Sequence, residues 1–186
     1  MEIDDYIVAD DRRLVALVLE GDQSAFEYLF NRYREAIYRL FVQRIDDVND
    51  ADDLLQETFI KVYINIDRYS PDYTFGQWVY TIARNTLIDY IRRRSDDISI
   101  DERFLSPASP APTPEESVIA AQRRMQFDAC LMHLTPVYRQ LIEMRFLEER
   151  SYEEIAETLG RPMNTVKTQI RRAKEAMCRL IVERES

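Results

Sequence analysis

Glycine, cysteine, histidine and positive charge are all scarce in this sequence, and each scarcity excludes something. Three glycines in 186 residues, Gly21, Gly76 and Gly160, are too few for the many tight turns of an all-β chain. Two cysteines, Cys130 and Cys178, lie far apart with no CxxC spacing, which argues against a disulfide framework or a zinc site and for reduced thiols in helical patterns. The single histidine, His133, has no acid or nucleophile pattern around it, so no catalytic residue, metal or cofactor is expected, and no enzyme activity. The start, MEIDDYIVADDRR, is acidic and holds no uninterrupted apolar run. Neither a signal peptide nor a membrane-inserting segment is therefore expected, and the cytoplasm is the expected address. Lysine and arginine number 25 against 34 aspartates and glutamates, a formal charge of -9, and net repulsion works against nucleic-acid binding by the chain as a whole.

What is present is helical periodicity. With 46% hydrophobic and 32% charged residues the composition is that of a globular protein, and nearly every long segment repeats its apolar residues at helical spacing, which predicts an all-α fold. In SAFEYLFNRYREAIYRLFVQRI, Phe26, Leu29, Phe30, Tyr33, Ile37, Leu40 and Phe41 form one stripe, and Ser24 with Glu27 reads as a capping box. A second helix follows in DADDLLQETFIKVYINI, with Leu54, Leu55, Phe59, Val62, Tyr63 and Ile66 on its apolar side and Asp50 as its expected cap. Pro71 and Gly76 break the pattern, and a third helix runs from about Phe75 to Arg94 with Trp78, Ile82 and Ile91 inward, ending in Arg92, Arg93 and Arg94.

Residues 95–121 change character. Pro107, Pro110, Pro112 and Pro114 fall close together, and the stretch has six acids against one arginine, the composition of an extended linker. Helices are expected to restart at Thr113-Pro114, with Glu116 closing a capping box, and at Thr135-Pro136. Formal charge is -6 over residues 1–94, -5 over 95–121 and +2 over 122–186, so only the last part is basic. The expected organisation is two small helical domains, 1–94 and 122–186, on a flexible acidic linker.

The basic part contains SYEEIAETLGRPMNTVKTQIRRAKEAM. Ser151 and Glu154 make a capping box, Ile155, Ala156 and Leu159 form the buried face of a short helix, Gly160 stands where a left-handed helix end is needed, and Pro162 opens a longer helix. This is the helix-turn-helix arrangement, whose second helix enters the major groove of DNA. At roughly 100° per residue, Val166, Ile170, Ala173 and Met177 point inward. Asn164, Thr168, Arg171 and Arg172 then point outward, flanked by Thr165, Lys167 and Lys174. Arginine can contact guanine with two hydrogen bonds, asparagine adenine, and lysine or threonine the phosphates.

These residues resemble region 4 of the extracytoplasmic-function sigma factors, the promoter-recognition subunits of bacterial RNA polymerase, while DADDLLQETFIKVY resembles their region 2.2 and FGQWVYTIARNTLIDYIRRR their regions 2.3 and 2.4. The resemblance covers roughly residues 20–94 and 122–182. It implies a protein that binds core polymerase and directs promoter recognition, melting and initiation. Asp53, Leu54, Gln56, Glu57 and Phe59 would then dock on the clamp helices of the largest polymerase subunit. The minus-10 element, with a flipped base of the non-template single strand, would meet the loop from Asn65 to Gln77, including Arg68 and Tyr69. Trp78, Tyr80, Arg84, Asn85, Asp89, Arg92 and Arg93 lie along the adjoining helix, where Trp78 either stacks on a base or is buried with Ile82. Region 4 would hold duplex minus-35 DNA. The acidic linker would lie in a basic polymerase channel, and an anti-sigma protein is a candidate partner. Asn164, Thr168 and Gln169 depart from the family's usual glycine, serine and arginine, so promoter preference does not carry over.

Two other readings compete. An independent helix-turn-helix regulator of the response-regulator output type would use the second domain alone, but the region 2 motifs oppose it. An isoprenoid-synthase-like enzyme would use Asp46, Asp47 and Asp50 of DDVND as a magnesium site, but needs a second acidic cluster and a far larger helical bundle.

Overall fold

A computed structural model describes residues 3–94 and 124–182 as helices and turns, with no strand among them. The all-α expectation holds. The expected helix start at Thr113-Pro114 and the proline-bearing stretch lie outside the described residues.

The first half consists of α1 (Ile3–Val8), α2 (Asp11–Leu19), α3 (Gln23–Val42), α4 (Val48–Asn65) and α5 (Phe75–Arg94), with a 3-10 turn at Ile66–Arg68 after α4. Two caps differ from expectation. The Asp22 carboxylate, not Ser24, accepts the Ala25 N–H at the start of α3, and Asp47, not Asp50, caps α4 by accepting from Asn49. In both places an earlier aspartate takes the extended backbone that a cap requires. Asp50 instead accepts the Tyr90 hydroxyl and the Arg94 guanidinium, which ties the start of α4 to the end of α5. Asp47 and Asp50 of DDVND thus serve a helix start and a helix-to-helix tie.

Aromatic rings fill the space between α3, α4 and α5. Phe26 meets the edge of Tyr63, Phe30 that of Phe59, and Phe75 sits among Tyr33, Tyr69 and Trp78. The buried stripe of α5 is Phe75, Val79, Ala83 and Leu87, while Trp78, Ile82 and Ile91 are only half-buried, one step around the helix from their expected positions. Gly76 has no room for a side chain, because a Cβ there would stand 2.9 Å from the Tyr33 ring.

The second half is α6 (124–132), α7 (Pro136–Ile142), a π turn at Glu143–Leu147, α8 (Tyr152–Leu159) and α9 (Met163–Val182). Thr135 caps α7, and the Ser151–Glu154 capping box is complete, with Ser151 N–H to Glu154 at 2.7 Å and Glu154 N–H to Ser151 at 3.2 Å. Gly160 ends α8 at φ 60°, and the Arg161 N–H returns to the Ala156 carbonyl. Val166, Ile170, Ala173 and Met177 are fully buried, as the helical period requires.

These halves do not stand apart. Helix α9 lies along α4 and also packs on α3, so that buried residues from Tyr6 to Val182 belong to one continuous core. The Gln23 amide donates to the Leu180 carbonyl across this contact. Two tethered bodies were expected from the sequence, and the structure shows them closed on one another.

Gly160 allows a clean test of the helix-turn-helix turn. A Cβ there meets nothing within 4 Å, so Gly160→Ala carries only the conformational penalty of a left-handed backbone. Urea denaturation should show a loss of about 1–2 kcal/mol, with a smaller loss for Gly160→Asn.

Candidate nucleic-acid interface

Helix α9 exposes most of the face expected to read DNA. Asn164, Thr165, Lys167, Thr168, Arg171 and Arg172 are all exposed. Lys167, Arg171 and Arg172 make no ion pair among the described residues, which leaves three uncompensated positive charges in one row. Arg161 donates to Gln169 at 2.9 Å and braces the start of α9.

Lys174 corrects the expectation. It is 0% exposed rather than flanking the outward face. Its Nζ donates to Asp53 Oδ2 at 2.6 Å, to Glu57 Oε2 at 3.1 Å and to the Tyr152 hydroxyl at 3.2 Å. The signal for this was in the helical period: at roughly 100° per residue Lys174 falls about 40° from Ile170, on the flank of the buried stripe.

The expected polymerase-docking residues lie under the same contact. Leu54 and Phe59 are core residues, Phe59 against Phe30, so they offer no side-chain surface. Glu57 is fully buried. Besides Lys174 it receives Lys61 at 3.0 Å and Arg145 at 3.1 Å, both on Oε1. Asp53 and Gln56 are half-buried. Asp53 Oδ1, Gln56 Oε1 and Arg145 Nε are buried without a hydrogen-bond partner among the described residues. Around the cluster, the Arg93 and Arg145 guanidinium groups each lie 5.3 Å from the centre of the Tyr152 ring, close enough for cation–π attraction. Sequence reasoning missed Arg145 and Tyr152, because nothing local links positions so far apart in the chain, and it missed Lys61, for which the i, i+4 spacing from Glu57 was the available signal.

Burial is the largest influence on Glu57 and raises its pKa, but Lys174, Lys61 and Arg145 together outweigh it and hold the carboxyl well below its ordinary range. For Lys174 burial works downward, yet Glu57, Tyr152 and Asp53 raise the ammonium above its ordinary value. Asp53 goes the other way from Glu57: burial exceeds the pull of Lys174 and raises it.

The residues expected at the minus-10 element divide into two groups. Asn65, Arg68, Trp78, Asn85 and Asp89 converge on one cavity of about 520 Å³, with Lys61, Ile64, Ile82 and Thr86 completing that wall. The remaining lining comes from the second half of the chain, through Arg145, Phe146 and Glu149 of the π turn and its exit. Trp78 is half-buried, its ring tilted against Tyr69 and Phe75, so it both packs and lines the cavity. Tyr69, Tyr80, Arg84, Arg92 and Arg93 lie outside it. Tyr69 donates to the Tyr73 carbonyl at 2.8 Å and shapes the loop, and Tyr80 is 48% exposed. Arg92 is exposed, Arg84 is half-buried, and Arg93 donates to the Asp89 carbonyl at 3.1 Å. Among the described residues no group of acids, histidines or cysteines could hold a metal ion, and no helix is long and apolar enough to cross a membrane.

Protonation tests the ion cluster. A carboxyl whose folded pKa is lowered contributes stability above its unfolded pKa and loses it as pH falls through the folded value. Asp53, with its raised pKa, works in the opposite sense but keeps partial solvent access. Glu57 therefore dominates, and the chain should lose stability on acidification below about pH 4.5, its ordinary value. Denaturation midpoints measured from pH 6 to pH 3 should fall more steeply for the natural sequence than for Glu57→Gln. Parallel curves would remove Glu57 from the account.

Comparison with known proteins places these features. Residues 29–96 match the family described as Sigma-70 region 2, and residues 124–177 match Sigma-70, region 4. The chain is 31% identical over 175 residues to the ECF RNA polymerase sigma factor SigW of Bacillus subtilis, covering 89% of this chain and 94% of that protein. It is 35% identical over 176 residues to the ECF RNA polymerase sigma-E factor of Escherichia coli, covering 90% and 92%. Among solved structures it is similar to CnrH in complex with the cytosolic domain of CnrY, at 26% identity and a TM-score of 0.42 over 90% of this chain and 94% of that one. With both regions matched and more than nine-tenths of both of these relatives covered, the chain belongs to the extracytoplasmic-function sigma factors of RNA polymerase.

Proposed function

We propose that this sigma factor, which directs transcription initiation on core RNA polymerase, assigns three tasks to three surfaces. The exposed row on α9 reads duplex minus-35 DNA, with Arg171 or Arg172 on a base edge and Lys167, Thr165 and Thr168 on phosphates. Asn164, at the exposed start of the helix, is placed to reach an adenine. The wall of Asn65, Arg68, Trp78, Asn85 and Asp89 takes the unstacked non-template strand of the minus-10 element, where a flipped base gains an aromatic neighbour and a cation. Tyr69 holds that loop in shape, and Tyr80, Arg84, Arg92 and Arg93 extend the track along α5. Asp53, Gln56 and Glu57 on α4 dock on the clamp helices of the largest polymerase subunit, with Leu54 and Phe59 supporting them from the core.

The observation that carries this reading is the convergence of five expected minus-10 residues, from two helices and the turn between them, on one cavity. Residues 1–94 and 122–186 act as the two functional domains, and the acidic stretch 95–121 connects them within a basic polymerase channel. An anti-sigma protein is a candidate inhibitory partner. Acting on polymerase, the chain works in the cytoplasm and performs no catalysis of its own. The match to region 2 leaves the independent-regulator reading without support.

Arg171→Ala or Arg172→Ala should weaken promoter binding by the holoenzyme by about 1–3 kcal/mol, roughly 5- to 150-fold, and relax preference at one base position. Full activity of both variants at a minus-35-dependent promoter would overturn the assignment. Gln56→Ala should weaken the complex with core polymerase several-fold, measured by fluorescence titration. Gln56 makes no bond in the ion cluster, so this change separates docking from the packing of α9 on α4.

A further inference from the structure

The match to region 2 begins at residue 29 and leaves α1 and α2 without a task, yet α2 reaches the loop that joins the two helices lining the cavity. Arg12 Nη2 donates to the Pro71 carbonyl at 2.9 Å, across 59 positions of chain. The start of α2 is itself fixed on α3. The Asp11 carboxylate accepts the Tyr33 hydroxyl and, at 2.7 Å, the Arg32 guanidinium, which also donates to the Ala9 carbonyl at 3.0 Å. The Tyr33 ring stands against Phe75 and fills the space beside Gly76, where the same loop ends.

The loop is also tied within itself. Tyr69 donates its hydroxyl to the Tyr73 carbonyl at 2.8 Å, and the Tyr73 N–H returns to the Ser70 carbonyl at 3.3 Å. The Thr74 N–H donates to the Gln77 side chain at 3.1 Å, and the Gln77 N–H to the Thr74 hydroxyl at 3.2 Å. This fixed tip carries Tyr73, which at 62% is the most exposed aromatic among the described residues and lies outside the core.

We propose that Tyr73 is a stacking platform for a base of the non-template strand next to the flipped one, and that Arg12 is the positioning residue that holds the platform in place. The proposal rests on the functional reading above for the identity of the strand. Continuity fixes the occupant: the loop leaves Asn65 and Arg68 and ends before Trp78, and all three line the cavity, so a strand with one base there brings its neighbour to the tip. An exposed phenol ring accepts the flat face of any base. A backbone already bonded at Pro71, Tyr73 and Thr74 loses little freedom when the base arrives. Arg12 and Arg68 are exposed cations for the phosphates, and Asp72, the acid at the tip, accepts the Ser70 hydroxyl at 2.8 Å. Helix α2 thereby belongs to the apparatus that reads the melted strand.

The test uses holoenzyme assembled from the full chain and core polymerase, titrated with a fluorescent single-stranded oligonucleotide carrying the non-template minus-10 sequence of a promoter it transcribes. Tyr73→Ala should weaken binding roughly 5- to 150-fold, the share of one stacked base, whereas Tyr73→Phe, which keeps the ring, should stay within about twofold. Equal losses in both variants, or none in either, would overturn the platform. Arg12→Ala should weaken the same complex at least about threefold, and Arg12→Lys should restore most of it. The double variant Arg12→Ala/Tyr73→Ala should bind no more weakly than Tyr73→Ala alone, because Arg12 acts through the ring. Additive losses, or a lysine that restores nothing, would remove Arg12 from this role. Both side chains are exposed, so neither change touches the core. Arg68→Ala separates the two levels: a loss there without one at Tyr73→Ala overturns the platform alone, and no loss in either overturns the minus-10 reading as well. A Tyr73→Ala chain that holds the oligonucleotide normally but core polymerase poorly would make the tip a protein contact and end the proposal.

Discussion

A buried ammonium between two carboxylates governs this molecule. Bringing Lys174, Glu57 and most of Asp53 out of water costs several kcal/mol per ion, and that cost is met only where the partners are close and well directed. Here the distances are 2.6 and 3.1 Å, and Lys61 and Arg145 supply further cations to Glu57. Removing one member of such a cluster leaves the rest uncompensated, at about 3–5 kcal/mol. Around the cluster the joint is apolar, with Ile170, Met177 and Ile181 of α9 buried in the same core as α3 and α4.

Everything else in the first half fixes the geometry of that cluster. Phe59 and Leu54 point α4 into the aromatic core and so turn Asp53 and Glu57 toward α9. Asp50 ties α4 to α5 through Tyr90 and Arg94, which sets the spacing of the two helices that line the cavity proposed for the minus-10 strand. In the second half the Ser151 capping box places Tyr152 at the first turn of α8, beside Lys174 and within cation–π reach of two guanidinium groups. The turn at Gly160 then brings α9 back across, with its apolar stripe inward and Lys167, Arg171 and Arg172 in solvent.

Local order was readable from the sequence and long-range order was not. The capping box at Ser151, the left-handed Gly160, the cap at Thr135 and the stripe from Val166 to Met177 each depend on residues within one or two turns, and each is found as expected. Where two aspartates or a serine and an aspartate compete for one helix start, local pattern cannot rank them, and Asp22 and Asp47 took the places assigned to Ser24 and Asp50. The placement of Lys174 failed for a different reason. A lysine beside an apolar stripe reads as surface unless the partner helix is known to carry carboxylates, and those lie more than a hundred residues earlier in the chain. Separation along the chain also hid that Arg145, Phe146 and Glu149 line the same cavity as Asn65, Arg68, Trp78, Asn85 and Asp89.

The direct test of the central ion pair is a double-mutant cycle on the stability of the full chain, using Lys174→Met, Glu57→Gln and both together. Residues in contact within one charged network couple by roughly 0.5–3 kcal/mol, whereas separated residues add to within about 0.5 kcal/mol. The structure predicts a coupling energy near the upper end of that range, with the double variant more stable than the sum of the single losses allows. Additive losses would show that Lys174 and Glu57 do not meet in solution, and the closed arrangement of the two halves would fall with them.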